Sequence, residues 1–209
     1  GVQTCALPIC KPLIFVDSNT LYLGHSCVTT DLEDSVITAL EHFLEHHHKE
    51  IGLLVGQEET ADATPLQMDP RQRVFQQFLT EKGLYEERFV AVGQFSTESG
   101  YQMMEQLIQA LGDDLPTAFF MASDAIAVGA LRSLQEHQIA VPDRVSLISF
   151  NDTSIAKYVF PALSTVTVYT EEMGKQAIQM LRQAFQGSQP SVPCMVKLAT
   201  KLTIRDSSR

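Results

Sequence analysis

The chain lacks any run of about 18 consecutive apolar residues, which rules out a membrane-spanning helix of ordinary length. It is also short of positive charge. Fifteen Lys and Arg stand against 25 Asp and Glu, for a formal net charge of −10. Binding nucleic acid needs clustered cations to neutralise phosphates, and the basic residues here are scattered, so this segment is not expected to hold nucleic acid by itself. Cysteine is sparse too. Cys5, Cys10, Cys27 and Cys194 form no C-x-x-C pair and have no histidine at ligand spacing, which argues against a zinc ribbon or a disulfide framework and fits a reduced, cytoplasmic compartment. No phosphate-cradling glycine loop occurs, so no nucleotide cofactor is expected. No G-x-S-x-G elbow occurs, and Ser123 and Ser149 have no neighbouring histidine, so nucleophilic catalysis lacks support and no enzyme is expected.

What is present suits an ordinary globular protein. With 44% apolar residues, 209 residues can bury a sizeable core as one large domain or two smaller lobes. The nine opening residues, Gly1–Ile9, agree with the translation of a common sequencing adapter and have neither the charged nor the apolar region of an export signal. They carry no fold expectation.

From Pro12 onward, short apolar runs alternate with helical stripes. Leu13–Val16, Ile51–Val55, Phe89–Val92, Ala118–Met121, Val145–Phe150 and Val166–Val168 read as strands. Several are uniformly apolar, as parallel strands covered on both faces tend to be. Helices are expected over 34–46, 70–82, 97–111, 124–137 and 171–185, with Gly83 closing the second and Gly187 and Pro190 stopping the last. The tail pairs Met195–Leu198 with Lys201–Ile204. Strands separated by helices of this length imply βαβ units and an open parallel sheet, an α/β fold.

In such sheets ligands bind beyond the carboxyl ends of strands. Asp17, Ser123 with Asp124, and Asn151 with Asp152 all follow apolar runs directly. Asp, Ser and Asn are also preferred helix caps, an equally good account of Asp124 and Asp152. Carboxylates and amides gathered on one edge suit a polyol, and Arg71, at the start of a helix, is the natural planar donor. His42 and His46–His48 share a helix end. A metal is not expected there, because a partial positive charge at a helix C-terminus is reason enough for His48.

Three blocks resemble the lactose/galactose-repressor family of transcription regulators: Pro116–Leu131 (PTAFFMASDAIAVGAL), Val141–Asp152 (VPDRVSLISFND) and Pro161–Val166 (PALSTV). Ser123-Asp124, Asn151-Asp152 and Leu163–Val166 with Met173-Gly174 look nearest to a branch that controls a β-galactosidase operon. The resemblance runs from about Pro12 to the C-terminus. It implies a two-lobed, type I periplasmic-binding-protein-like α/β fold whose first lobe is incomplete. Residues 10–30 and 168–198 would belong to that lobe, and 31–167 with 199–209 would form the second. The helix-turn-helix would be absent. A sugar, in one version a galactoside, would sit in the inter-lobe cleft.

Carried over by position, the resemblance places Asp17, Arg71 and Asn151 against sugar hydroxyls and Phe95 against the ring's apolar face. Ser123 stands where most members have Asn, and Asn151 where many have Asp. Tyr169 would be a substitute contact in the place of the family's usual aromatic or Gln. Val128, Leu131, Tyr158 and Phe160 are expected at a homodimer or dimer-of-dimers interface, and operator DNA would be reached only through the missing domain. A periplasmic sugar-binding protein has the same lobes but needs an export signal, which the opening residues do not provide.

Overall fold

The computed structural model describes residues 12–57, 68–188 and 190–209, with only the backbone of Tyr22. The expectation for residues 1–9 lies outside them, as do Cys5 and Cys10. The described chain runs β1 (Ile14–Val16), β2 (Ser26–Thr30), α1 (Leu32–Glu45), β3 (Ile51–Gly56), α2 (Pro70–Glu81), β4 (Val90–Gly93) and α3 (Thr97–Leu111). It continues with β5 (Ala118–Met121), α4 (Asp124–Glu136), β6 (Ser146–Asn151), α5 (Ile155–Tyr158), β7 (Ser164–Thr167), α6 (Thr170–Phe185), β8 (Met195–Leu198) and β9 (Lys201–Thr203). Two compact units result. Of the described residues, those up to Asp31 join those of Val168–Thr200 in one, and those of Leu32–Thr167 join Lys201–Arg209 in the other.

The smaller unit is a parallel sheet in the order β1-β2-β8. α6 lays Met173 and Met180 on Val28, with Ile14, Ala177 and Val196 around them. The sequence reading missed β2 because Ser26-Cys27-Val28-Thr29-Thr30 carries only one strongly apolar side chain. Its polar groups are nonetheless satisfied: Ser26 Oγ accepts from Cys194 N at 3.0 Å, and Thr30 Oγ1 donates to the Met173 sulfur at 3.5 Å.

The larger unit holds a six-stranded sheet in the order β4-β3-β5-β6-β7-β9, parallel except for β9, which runs antiparallel to β7. β3 and β5 are buried at every residue, because helices cover both faces and no face is left for polar alternation. α3 and α4 pack very closely. A Cβ on Gly129 would lie 1.9 Å from Thr97 O, and one on Gly100 would lie 2.2 Å from Ile126 O, so both contacts need the bare backbone.

One pairing differs from the sequence reading. β8 and β9 do not form a hairpin: β8 extends the small sheet beside β2, whereas β9 closes the large one beside β7. The two residues between them, Ala199 and Thr200, look like a turn in sequence but carry the chain from one unit into the other. β7 also starts at Ser164, two residues before the apolar Val166, because Ser164 and Thr165 find partners inside the fold.

Candidate functional site

Arg71 opens the first turn of α2. Asp69 caps that helix, its Oδ1 accepting from Arg71 N at 2.8 Å, and Pro70 takes the first helical position, where a missing N–H costs nothing. The same carboxylate takes the guanidinium: Nε donates to Oδ1 at 2.8 Å and Nη2 to Oδ2 at 2.7 Å. Nη1 donates to Ala122 O, just past β5, at 2.7 Å. The guanidinium carbon lies 4.9 Å from the Phe95 ring centre and 5.3 Å from that of Phe150. Arg71 and Asp69 are 15% and 11% exposed, enough to reach a ligand and enough shielding for the ion pair to be strong. Phe95 also packs over Gly56, the last residue of β3, where a Cβ would lie 2.4 Å from its ring. The carboxyl ends of β3, β5 and β6 thus bring Arg71 and Phe95 together. Asp69 and Phe150 were not singled out from sequence, though an Asp two residues before an Arg, with Pro between them, signals a cap.

Ser123 caps α4, its Oγ accepting from Ile126 N at 3.3 Å, and is nearly buried at 7% exposure. That bond leaves the hydroxyl proton for another acceptor. Neither Asp124 nor Asp152 is a cap. Asp124 is 1% exposed and accepts four hydrogen bonds, from Ser149, Thr165 and twice from Thr153. Asp152 pairs with Arg205 at 2.7 Å and accepts from Thr167 Oγ1 at 2.8 Å. Both carboxylates are therefore committed inside the fold. Asn151 is exposed at the end of β6 with φ 109°, a left-handed value that L side chains rarely adopt.

In the smaller unit Asp17 follows β1 with φ 59° and its backbone N–H on Val28 O at 2.9 Å; it is exposed. Tyr169 precedes α6 and is 43% exposed. The four residues expected at an interface separate. Tyr158 and Phe160 are 83% and 85% exposed, and Val128 is half-buried against the core. Leu131 is only 3% exposed and belongs to the core between α3, α4 and the sheet, so it cannot present a surface, although the resemblance placed it at an interface. The histidine reading also changes. Burial pushes His48 below its ordinary pKa, which disfavours a charge there; its Nδ1 lies 2.9 Å from Thr117 Oγ1, while His46 Nδ1 hydrogen-bonds His42 O at 2.8 Å.

Residues 40–208 match the periplasmic binding protein-like domain. The chain belongs to this family. Among curated relatives of this family member, the helix-turn-helix-type transcriptional regulator GalR of Streptococcus thermophilus is 50% identical over 95% of the chain and 60% of its own length. The regulator GanR of Bacillus subtilis is 36% identical over 93% of the chain and 59% of its own length. A sugar-binding transcriptional regulator of the LacI family from Escherichia coli, solved with phosphate, matches with a TM-score of 0.77 at 28% identity, covering 94% of this chain and 68% of that one. These are regulators, in keeping with the resemblance to lactose/galactose repressors and not with a transport protein. The chain spans about 60% of the length of the curated relatives it matches.

Proposed function

We propose that the chain is the sugar-sensing region of a cytoplasmic LacI-type transcriptional repressor, working as a homodimer and performing no catalysis of its own. The observation that carries this is the Arg71 guanidinium, held by Asp69 and flanked by Phe95 and Phe150 beyond the strand ends. Three of its five N–H groups are engaged by the bonds described, and its planar fork suits paired hydroxyls. Phe95 offers an apolar surface for the C–H face of a sugar. Ser123 and Asn151 are the further polar contacts on this unit; in the smaller unit Asp17 and Tyr169 are exposed. Asp124, which is buried, and Asp152, which is partly buried, are both consumed in structural bonds, which supports a binding role over a hydrolytic one.

In this reading the sugar acts by its differential affinity for two conformations, and operator DNA is engaged through a helix-turn-helix, the element the curated relatives are named for. Tyr158 and Phe160 belong to the two-fold interface with a second copy. The test is calorimetric titration with galactose, lactose, cellobiose and glucose. Arg71→Ala is expected to weaken the best-bound sugar by roughly a hundredfold, since a charged hydrogen-bond donor to ligand is lost. Unchanged affinity removes Arg71 from the site.

A further inference from the structure

Asp124 is the first residue of α4, yet its carboxylate serves three other elements. Oδ1 accepts from Ser149 Oγ at 2.5 Å and from Thr165 Oγ1 at 3.0 Å. Those two residues face each other in register across β6 and β7. Oδ2 accepts from Thr153 N at 2.6 Å and from Thr153 Oγ1 at 2.8 Å. With 1% exposure, this is an internal knot tying α4 to two strands and to the turn that follows β6.

That turn is unusual. Asn151 and Asp152 have φ 109° and 57°, two consecutive non-glycine residues in the left-handed region. Such backbone persists only where the surroundings over-determine it, and it gathers at ligand sites. Here the surroundings are explicit. Asp152 is held by Arg205 at 2.7 Å and Thr167 Oγ1 at 2.8 Å, and its N–H donates to Thr165 Oγ1 at 3.3 Å. Asp124 holds the far side of the turn through both donors of Thr153. The turn is pinned on both sides of a residue, Asn151, whose own side chain is exposed at the strand end.

We propose that Asp124 is a positioning residue for ligand recognition, locking the 151–153 turn so that the Asn151 amide is aimed at hydroxyls of a polyol. The inference rests on the reading of Asn151 as a sugar contact. Asp124 touches no ligand. It acts through Asn151, so its effect on affinity must pass through that side chain.

The experiment is a pair of double-mutant cycles on the 209-residue chain, titrated calorimetrically with the tighter-binding of D-galactose and lactose. Asp124→Asn is nearly isosteric. The Thr153 backbone N–H cannot reverse, so the amide oxygen stays on it and the NH2 faces Ser149 and Thr165, whose hydroxyls can turn to accept. Asp124→Asn is expected to weaken binding roughly tenfold in the wild-type background, to add nothing in an Asn151→Ala background, and to keep its full effect in an Arg71→Ala background. Thr153→Ala, at an exposed side chain that leaves the Asp124 carboxylate intact, is expected to show the same pattern at roughly threefold, and it carries the test should Asp124→Asn not fold. Equal losses in the Asn151→Ala and wild-type backgrounds would mean that Asp124 acts only on general stability, and would overturn the inference while leaving the site standing. An Asn151→Ala variant that binds as wild type removes Asn151 from the site and the inference with it.

Discussion

Asp69 grips Arg71 with both carboxylate oxygens, Oδ1 on Nε at 2.8 Å and Oδ2 on Nη2 at 2.7 Å, while Oδ1 also caps α2 through Arg71 N. One side chain therefore starts the helix and fixes the guanidinium proposed to meet the sugar. Asp69→Asn separates the two roles. Asn caps as well as Asp, so the stability change should stay under about 1 kcal/mol. It cannot accept from both Nε and Nη2, so the fork loses its anchor and sugar affinity should fall roughly tenfold. Paired urea titrations and calorimetry check this. A variant losing stability but no affinity would show that Asp69 is only a cap.

The α3–α4 contact makes an opposite demand, on absence of a side chain. Gly129→Ala would drive a Cβ to within 1.9 Å of Thr97 O and 2.6 Å of Tyr101 N, backbone atoms that cannot step aside singly. The helices must separate, at a cost of about 3 kcal/mol. Gly174 in α6 meets nothing within 4 Å and has ordinary helical φ, so Gly174→Ala should instead stabilise its unit by about 0.5–1 kcal/mol. Chemical denaturation of both variants decides it, and a silent Gly129→Ala would mean that the close approach is not needed.

Much of this was legible in the sequence for a physical reason. Uniform apolar runs such as Ile51–Gly56 and Ala118–Met121 can only be covered strands, and helices between them force parallel pairing. The strand ends then pointed to Asp17, Ser123 and Asn151, and the start of a helix to Arg71. What stayed hidden depends on side-chain partners far apart in sequence. β2 is stabilised by Cys194 and Met173, more than 140 residues away, so its polar composition concealed it. Asp124 and Asp152 look like caps until Thr153 and Arg205 are seen to claim them. The β8–β9 link failed as a hairpin because partner choice is made by the sheets and not by the two residues between.

Tyr158 and Phe160 together form an apolar projection at the end of α5, with Phe160 O held by Gln135 Nε2 at 2.6 Å. Their exposures of 83% and 85% mean that neither contributes packing to its own chain. A Tyr158→Asp, Phe160→Asp double variant should therefore keep its denaturation midpoint and dissociate the proposed homodimer, with dimer affinity falling at least roughly a hundredfold. Leu131→Asp should unfold the chain instead, being 3% exposed. Sedimentation equilibrium reads the first outcome. A double variant that associates as the wild type does would place the interface elsewhere.

The histidines at the end of α1 give stability a pH dependence with a definite sign. Burial, reinforced by the neighbouring His46, holds His48 below its ordinary value of 6.5, and the same two causes hold His42 down against a smaller opposing pull from Glu45. A group with a depressed folded-state pKa takes up its proton more readily when unfolded, so stability is complete above 6.5 and declines as pH falls below it. Glu105, held below its ordinary range by hydrogen bonding to His137, adds a further loss only at more acid pH, below 4.5. The urea midpoint should therefore decline as pH falls from roughly 6.5 to roughly 5.5, within the interval in which histidine titrates. His48→Asn removes one of the two groups and should flatten that decline without abolishing it, because His42 still titrates. Parallel wild-type and variant profiles would show that His48 is as easily protonated in the folded chain as in the unfolded one.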